Sequence, residues 1–347
     1  MKALYYVGDE TMEIRDVPPL KCADDRYLIK VKANGICGSD IEGYLGRSGR
    51  RTPQLIMGHE VSGIIEQAPE GGRYARGEKV VIFPKPFCGE CEYCKKGMVN
   101  VCPAGICMGV LTSPGSMVEY IEVEEKYLIP FDSGLSYEIA ALTEPLAVAY
   151  RAVYKISDQQ IAEAHHVMVI GAGTIGMMAL LLLKMRKAKN IIVSDTSPYR
   201  LDLALRLGAD HIVNPLEKDV IEAVRTITGN TMCDISFEAV GTAKSARASL
   251  DVLRIGATAI WIGNAQKFVE VDMQKIVTTE LVIRGNYVYD FDSFRESLKL
   301  LENGSIKVEA LISEVMPLEQ GPQAFRMLKE NRDGKIVKVT VVPSDFF

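Results

Sequence analysis

Val167–Leu183 reads VMVIGAGTIGMMALLLL: four apolar residues, a glycine-rich turn, then a second apolar stretch. The first four read as a strand and the last part as a helix, with Gly171, Gly173 and Gly176 between them in the pattern G-x-G-x-x-G. Alone this pattern is a weak signal. In a strand–turn–helix context, with an acid closing the next strand, it reads as a dinucleotide site. Gly171 allows the tight turn, Gly173 lets backbone approach a diphosphate, and Gly176 lets the helix pack close to the strand. Thr174 and Ile175 carry the first free N–H groups of the helix, which point at the anion together with the positive end of its dipole. The next run, NIIVSD, ends in Asp195. Its carboxylate can accept from the ribose hydroxyls and would repel a 2′-phosphate, which favours NAD over NADP. Arg200 is near enough to weaken that preference, or it is a solvated helix residue.

Outward from this stretch, strand and helix patterns alternate: NIIVSD, SPYRLDLALRLGA, HIVNP, DVIEAVRTIT, CDISFEAVG, SARASLDVLRIG, ATAIWIGNA and LVIRG. Such alternation predicts a doubly wound parallel sheet. Turns after its later strands add Val240, Gly241 and Gly263 to the candidate cofactor residues. Before about residue 135 the texture differs. Short strand-like runs (YLIKVKANGI, VSGIIE, EKVVIFP) are separated by turn signals such as APEGG, which predicts a β-rich unit. A helical stretch, SYEIAALTEPLAVAYRAVYKI, follows, interrupted at Pro145. The final strand, KIVKVTVVP, fits best in the β-rich first part. The fold class is therefore α/β in two domains: 1–147 with 285–347, and 148–284 inserted between them.

With 347 residues, 48% hydrophobic and 24% charged, the chain can bury cores for two domains. A formal net charge of −5 is the wrong sign for a nucleic-acid partner. The longest apolar run, Met177–Met185, is too short for a bilayer and contains Lys184. The N-terminus reads as a strand and not as an export signal, so a cytoplasmic, reducing compartment is expected, where clustered cysteines favour metal over disulfide.

Two groups of candidate ligands stand out. Cys88, Cys91, Cys94 and Cys102 fall within one short loop. A disulfide is disfavoured by compartment, and a redox pair would need its Cys-x-x-Cys at a helix start in its own fold. Four thiolates at this spacing suit a closed, structural zinc. The second group is dispersed: Cys37 in GICGSD, His59 and Glu60 in MGHEVSG, and Glu144 in LTEPLAV. Ligands so far apart meet only through tertiary folding, as catalytic zinc ligands do, and three of them leave a coordination position open. Cys22, Cys107 and Cys233 read as small apolar residues. Asp40 reads as a buttress of the CGSD turn.

GICGSD, MGHEVSG, the four-cysteine loop, TEPLAVA and VIGAGTIG, in that order, resemble the zinc-dependent medium-chain dehydrogenase/reductase family, particularly its sorbitol (polyol) and galactitol-phosphate dehydrogenase branch. The resemblance spans essentially the whole chain. It implies a GroES-like catalytic domain built from both chain ends and an inserted Rossmann domain. It also implies two zinc ions per chain, one catalytic and one structural, with NAD as cofactor, and a homodimer or homotetramer. Cys37 and His59 match the catalytic ligands, with Glu60 or Glu144 as the third. Where the alcohol dehydrogenase branch has a cysteine this chain has Thr143-Glu144, which points away from simple alcohols. Ser39 matches a proton-relaying hydroxyl. Tyr44 matches a polyol-contacting tyrosine or is a packing residue. The implied activity is oxidation of a sugar-alcohol secondary hydroxyl, phosphorylated or not, to a ketose. An L-threonine or sugar-acid dehydrogenase, or a non-catalytic NAD-binding relative, is the alternative. Arg47, in the GRSGRR loop, either contacts such a substrate or faces water.

Overall fold

The computed structural model describes residues 1–132 and 134–344. The chain divides into two compact units: Met1–Glu144 with Asp290–Arg332 and Lys338–Phe347, and Pro145–Tyr289 with Asp333–Val337. The expected end of the first domain at 347 lies outside the described residues.

The first unit is β-rich. The amphipathic N-terminus forms a hairpin, Lys2–Gly8 antiparallel to Thr11–Asp16, and not one strand. Asp9 and Glu10 take positive φ at the tip, the backbone hand that suits a two-residue hairpin loop. A larger sheet runs in the order Ile312–Pro317, Lys338–Val342, Tyr27–Gly35, Glu60–Gln67, Lys79–Ile82, Leu128–Pro130, with Tyr120–Val123 also paired to Tyr27–Gly35. The C-terminal strand thus returns to the sheet of the N-terminal part, where Val341 pairs Asn34 and Thr340 pairs Gly35. Glu60 lies opposite Gly35 from the other side. The strands meet over a core that includes Tyr27, Ile29, Val31, Ile65 and Phe83.

The helical stretch after it breaks one step earlier than expected. The helices are Tyr137–Ala141 and Thr143–Val153, so Pro145 sits in the first turn of the second. There its missing N–H has no intrahelical acceptor to lose.

The second unit carries six parallel strands in the order His211–Val213, Ile191–Ser194, Val167–Ile170, Cys233–Glu238, Leu253–Trp261, Val282–Gly285. In sequence terms this is 3-2-1-4-5-6, and the order reverses beside Val167–Ile170, the place where such sheets take their ligands. All four residues of that strand are buried, as expected of a parallel strand covered on both faces. Helices Val220–Ile227 and Ala243–Asp251 contribute Val224, Ala248 and Leu250 to a core with Met168, Ile192 and Val213.

The segment Asp333–Val337, expected in the first domain, belongs to this unit. The Arg200 guanidinium donates to the Gly334 carbonyl (2.9 Å) and the Ile336 carbonyl (3.2 Å), and the Thr174 hydroxyl to that of Val337 (3.1 Å).

Candidate metal and dinucleotide sites

The dispersed ligands begin at the end of the central strand Tyr27–Gly35. Cys37 caps the short helix Gly38–Tyr44, its Sγ accepting from the Ser39 N–H at 3.4 Å, while Asp40 Oδ2 accepts from the Cys37 N–H at 3.2 Å. Register then places Glu60, and His59 before it, across from Gly35. One ligand atom from each of Cys37, His59 and Glu60 falls within 4.8 Å of the other two.

Asp40 is a buttress. Its Oδ1 accepts from Arg51 Nη2 (2.8 Å) and Nε (3.3 Å), and His59 Nδ1 stands 3.8 Å from the same oxygen. Burial opposes ionisation of Asp40, but His59 and Arg51 outweigh it and hold the carboxyl below its usual range. Arg51 Nη2 also donates to Ser39 Oγ at 3.2 Å, and Ser39 is exposed.

The donor set fits zinc. It is one soft sulfur, one imidazole and a carboxylate, and the buried His59 Nδ1 has no hydrogen-bond partner. Burial, then the charge of Glu60, pushes the Cys37 thiol up to about 11. A thiol so placed ionises readily only beside a cation that stabilises the thiolate.

Glu144 is not among the three converging ligands. It is buried in the first turn of Thr143–Val153, and its charge acts on Cys107 and Lys338. Tyr44 packs in the core of the first unit. It is 3% exposed between Tyr6 and Phe325, whose ring centroids lie 6.4 Å and 5.4 Å away. After burial, the charges acting on its hydroxyl are Lys329, Glu10, Arg326 and Glu330, none of them a metal-ligand candidate. Arg47 is exposed and pairs with Glu42 at 3.4 Å.

Two residues were missed. Lys338 is buried against Glu60, and Arg51 is buried against Asp40, at 2.7 Å and 2.8 Å respectively. A lysine inside the apolar run KIVKVTVV was the available signal for the first. Nothing separated Arg51 from its neighbours in GRSGRR. Burial works against the charge on Lys338, but Glu60 and Cys37 outweigh it and raise its pKa.

The four-cysteine loop closes on itself. Its sulfurs lie within 4.8 Å of one another, with contacts of 3.8 Å (Cys88–Cys94), 4.0 Å (Cys91–Cys102) and 3.6 Å (Cys88–Cys102). A tetrahedron with ~2.3 Å zinc–sulfur bonds has edges of about 3.8 Å. Backbone N–H groups of Cys88, Cys91 and Cys94 point at Cys102, Cys88 and Cys91 sulfur, each at 3.4 Å. The Cys88 N–H bond is the main cause that brings the Cys102 thiol down to about 6. Of the other thiols, Cys233 is buried and Cys22 and Cys107 half-buried.

In the second unit the three glycines are glycine for different reasons. Gly171 has φ +95°, and a β-carbon there would meet Val240 at 2.5 Å. A β-carbon on Gly176 would lie 1.7 Å from the Gly171 carbonyl oxygen. Gly173 has φ −76°, and its β-carbon would meet nothing closer than Arg200 Nη1 at 3.9 Å. The fold asks nothing of glycine at 173. Gly173 caps helix Thr174–Met185 without a side-chain bond, so N–H donors at that end, Ile175 among them, stay open to an anion.

Asp195 accepts from the N–H groups of Ala172 (2.7 Å) and Ser197 (2.9 Å), which sets its carboxylate beside the turn. Arg200 is anchored through Nε and Nη2, with Nη1 on the side of Gly173. Glu238 Oε1 accepts from the N–H groups of Val240 and Gly241 at 2.9 Å and 2.8 Å. Gly241 packs against Gly263, where a β-carbon would come within 2.1 Å of the Gly241 nitrogen.

Residues 23–133 match the family described as alcohol dehydrogenase GroES-like domain, and residues 174–303 the one described as zinc-binding dehydrogenase. The sorbitol dehydrogenase of Bacillus subtilis is 30% identical, covering 99% of this chain and 98% of that protein. The D-arabitol-phosphate dehydrogenase of Enterococcus avium is 31% identical over 95% of this chain and 94% of its own. The solved structure of galactitol-1-phosphate dehydrogenase from Escherichia coli superposes with a TM-score of 0.89 at 25% identity, covering 99% of this chain and all of that one.

Proposed function

The chain belongs to the zinc-dependent medium-chain dehydrogenases, and from that premise we propose that it oxidises a secondary hydroxyl of a sugar alcohol or sugar-alcohol phosphate to a ketone, with NAD as acceptor. The observation that carries the reading is the convergence of Cys37, His59 and Glu60 within 4.8 Å in the β-rich unit. The substrate class follows the relatives named for sorbitol, arabitol phosphate and galactitol phosphate.

Cys37 and His59 would hold the catalytic zinc, with Glu60 or Glu144 as the third donor, and Cys88, Cys91, Cys94 and Cys102 the structural one. Zinc at the first centre supplies Lewis acidity that makes a carbinol proton easier to remove. Asp40 keeps Cys37 and His59 in place through the Cys37 N–H and the imidazole side of its carboxylate. Ser39, exposed and fixed by Arg51, takes the substrate proton toward water. Gly173 and the open end of helix Thr174–Met185 receive the diphosphate. Asp195 accepts from the ribose hydroxyls, and its charge disfavours a 2′-phosphate, which supports NAD.

Among the described residues no helix is long and apolar enough to cross a membrane. Eight free thiols, four of them in one cage, suit a reducing cytoplasm. A homodimer or homotetramer is supported by the edge strand Val282–Gly285, with Val282, Ile255 and Val277 exposed in that unit.

The test is a panel of sugar alcohols with and without a terminal phosphate, plus L-threonine, followed by NADH absorbance. Turnover of a polyol, lost in Cys37→Ala while dinucleotide binding persists, is expected. Turnover of L-threonine alone, or full activity in Cys37→Ala with that centre free of zinc, would refute the proposal.

A further inference from the structure

Among the described residues Val288 is the only β-branched one with positive φ, at +43°. A side chain branched at its β-carbon crowds the backbone there, so its surroundings must hold it in place. Residues held in such conformations cluster at active sites and ligand clamps.

Asn286 does the holding. Its Nδ2 donates to the Val288 carbonyl (3.3 Å) and to the Val148 carbonyl (3.2 Å), while its Oδ1 accepts from Arg151 Nη1 (3.1 Å). A guanidinium at one end and two carbonyls at the other fix which way the amide faces. Asn286 is 7% exposed, and its own N–H donates to the Trp261 carbonyl at 2.7 Å. Val148 and Arg151 lie three residues apart on helix Thr143–Val153, and so on one face of it. All five residues belong to the second unit. The strand Val282–Gly285 is already in register through the pairing of Gly285 with Trp261 and through the Asn286 N–H. The side-chain amide therefore adds nothing to the sheet and acts on the turn beyond it.

That turn stands at the carboxyl ends of parallel strands, where such sheets present their ligands. Two residues beyond Trp261, Gly263 packs against Gly241, which follows the strand Cys233–Glu238. Next to Gly241, the Val240 side chain abuts the turn at Gly171. A line of backbone thus leads from the diphosphate turn to Val288. Asp195, the candidate for the adenosine ribose, follows strand Ile191–Ser194 on the opposite side of Val167–Ile170. This leaves the line toward Val288 for the other half of the dinucleotide.

We infer that Asn286 is a positioning residue for the nicotinamide half of the cofactor: it holds Val288 in the left-handed conformation and so fixes the turn at the far end of that line. The inference rests on the reading of this unit as the NAD site.

The test uses the full chain as wild type, Asn286→Ala, the isosteric Asn286→Asp, and the double variant Asn286→Ala/Val288→Gly. Titration calorimetry measures NADH and ADP-ribose, which lacks the nicotinamide. In Asn286→Ala the Val288 carbonyl loses its donor and the turn relaxes. With the left-handed turn kept by about one molecule in ten, NADH affinity falls about tenfold, and ADP-ribose affinity stays that of wild type. Asn286→Asp keeps the shape and the Arg151 bond but sets a carboxylate oxygen against two carbonyls, so it shows the same selective loss even where Asn286→Ala fails to fold. Glycine takes positive φ without steric cost, so the double variant recovers part of the NADH affinity.

Equal loss of NADH and ADP-ribose in the single variants, unchanged NADH affinity in either, or a double variant no better than Asn286→Ala overturns the inference alone. Wild-type protein that binds neither NADH nor ADP-ribose overturns the NAD reading with it, and the wild-type titration tells the two failures apart.

Discussion

Gly173→Ala and Gly176→Ala, three residues apart in one turn, should fail in opposite ways. At Gly176 a new β-carbon would sit 1.7 Å from the Gly171 carbonyl oxygen, so the helix and strand must part by more than an ångström. Overpacking of this kind costs about 1–3 kcal/mol or more. For a unit of about 150 residues that lowers Tm by roughly 3–9 °C. At Gly173 the nearest atom to a β-carbon is the Arg200 Nη1, 3.9 Å away, and φ is −76°. Alanine meets no clash there and restricts the unfolded chain, which stabilises by about 0.4–1 kcal/mol. The same methyl occupies the open face that should admit the diphosphate. Dinucleotide affinity should fall at least ~10-fold, equivalent to about 1.4 kcal/mol. Thermal scans of the apoprotein and titration of NADH fluorescence separate the two effects. Gly173→Ala protein that binds NADH as tightly as wild type would refute the reasoning, because the diphosphate would then pass elsewhere.

Cys94→Ser opens the four-cysteine cage, so zinc per chain should fall from two to one and Tm should drop, read by metal analysis and calorimetry; unchanged zinc content would contradict a structural site there. Asp234, in the second unit, gives a pH signature that involves no metal-ligand candidate. Burial raises its pKa, but the His166 N–H, Arg254 and the His165 N–H together overcome burial and leave it lowered. The bonds are 2.9 Å to the His166 N–H, 2.6 Å to Arg254 Nε and 2.8 Å to the His165 N–H. A carboxylate with a depressed folded pKa contributes stability above its unfolded value near 3.8, and that contribution is lost as pH falls through the folded value. Asp234→Asn should therefore cost about 1–3 kcal/mol at neutral pH and flatten the acid limb of the stability curve below about pH 4. An acid limb as steep as that of wild type, in denaturant melts across that range, would exclude Asp234 as its source.

What the sequence determined by itself is local or periodic. The turn Gly171–Gly176 is contiguous, and its strand and helix flanks are set by burial pattern, so the strand–turn–helix context could be read directly. The four cysteines lie within 15 residues, close enough that spacing alone brings their sulfurs to within 4.8 Å. The return of the strand Lys338–Val342 to the first unit followed from its β pattern.

Tertiary structure decided the rest, because it depends on which strands pair and in what register. Whether Glu60 or Glu144 lies beside Cys37 and His59 could not be read from spacing; the pairing of Glu60 with Gly35 sets Glu60 within 4.8 Å of both. Spacing could not say what Tyr44 touches; the helix Gly38–Tyr44 sets it beside Tyr6 and Phe325. Lys338 meets Glu60 across 278 residues of chain. No sequence period encodes that encounter: the middle strand of three had to place a glycine under it, and only the folded sheet brings the three residues together.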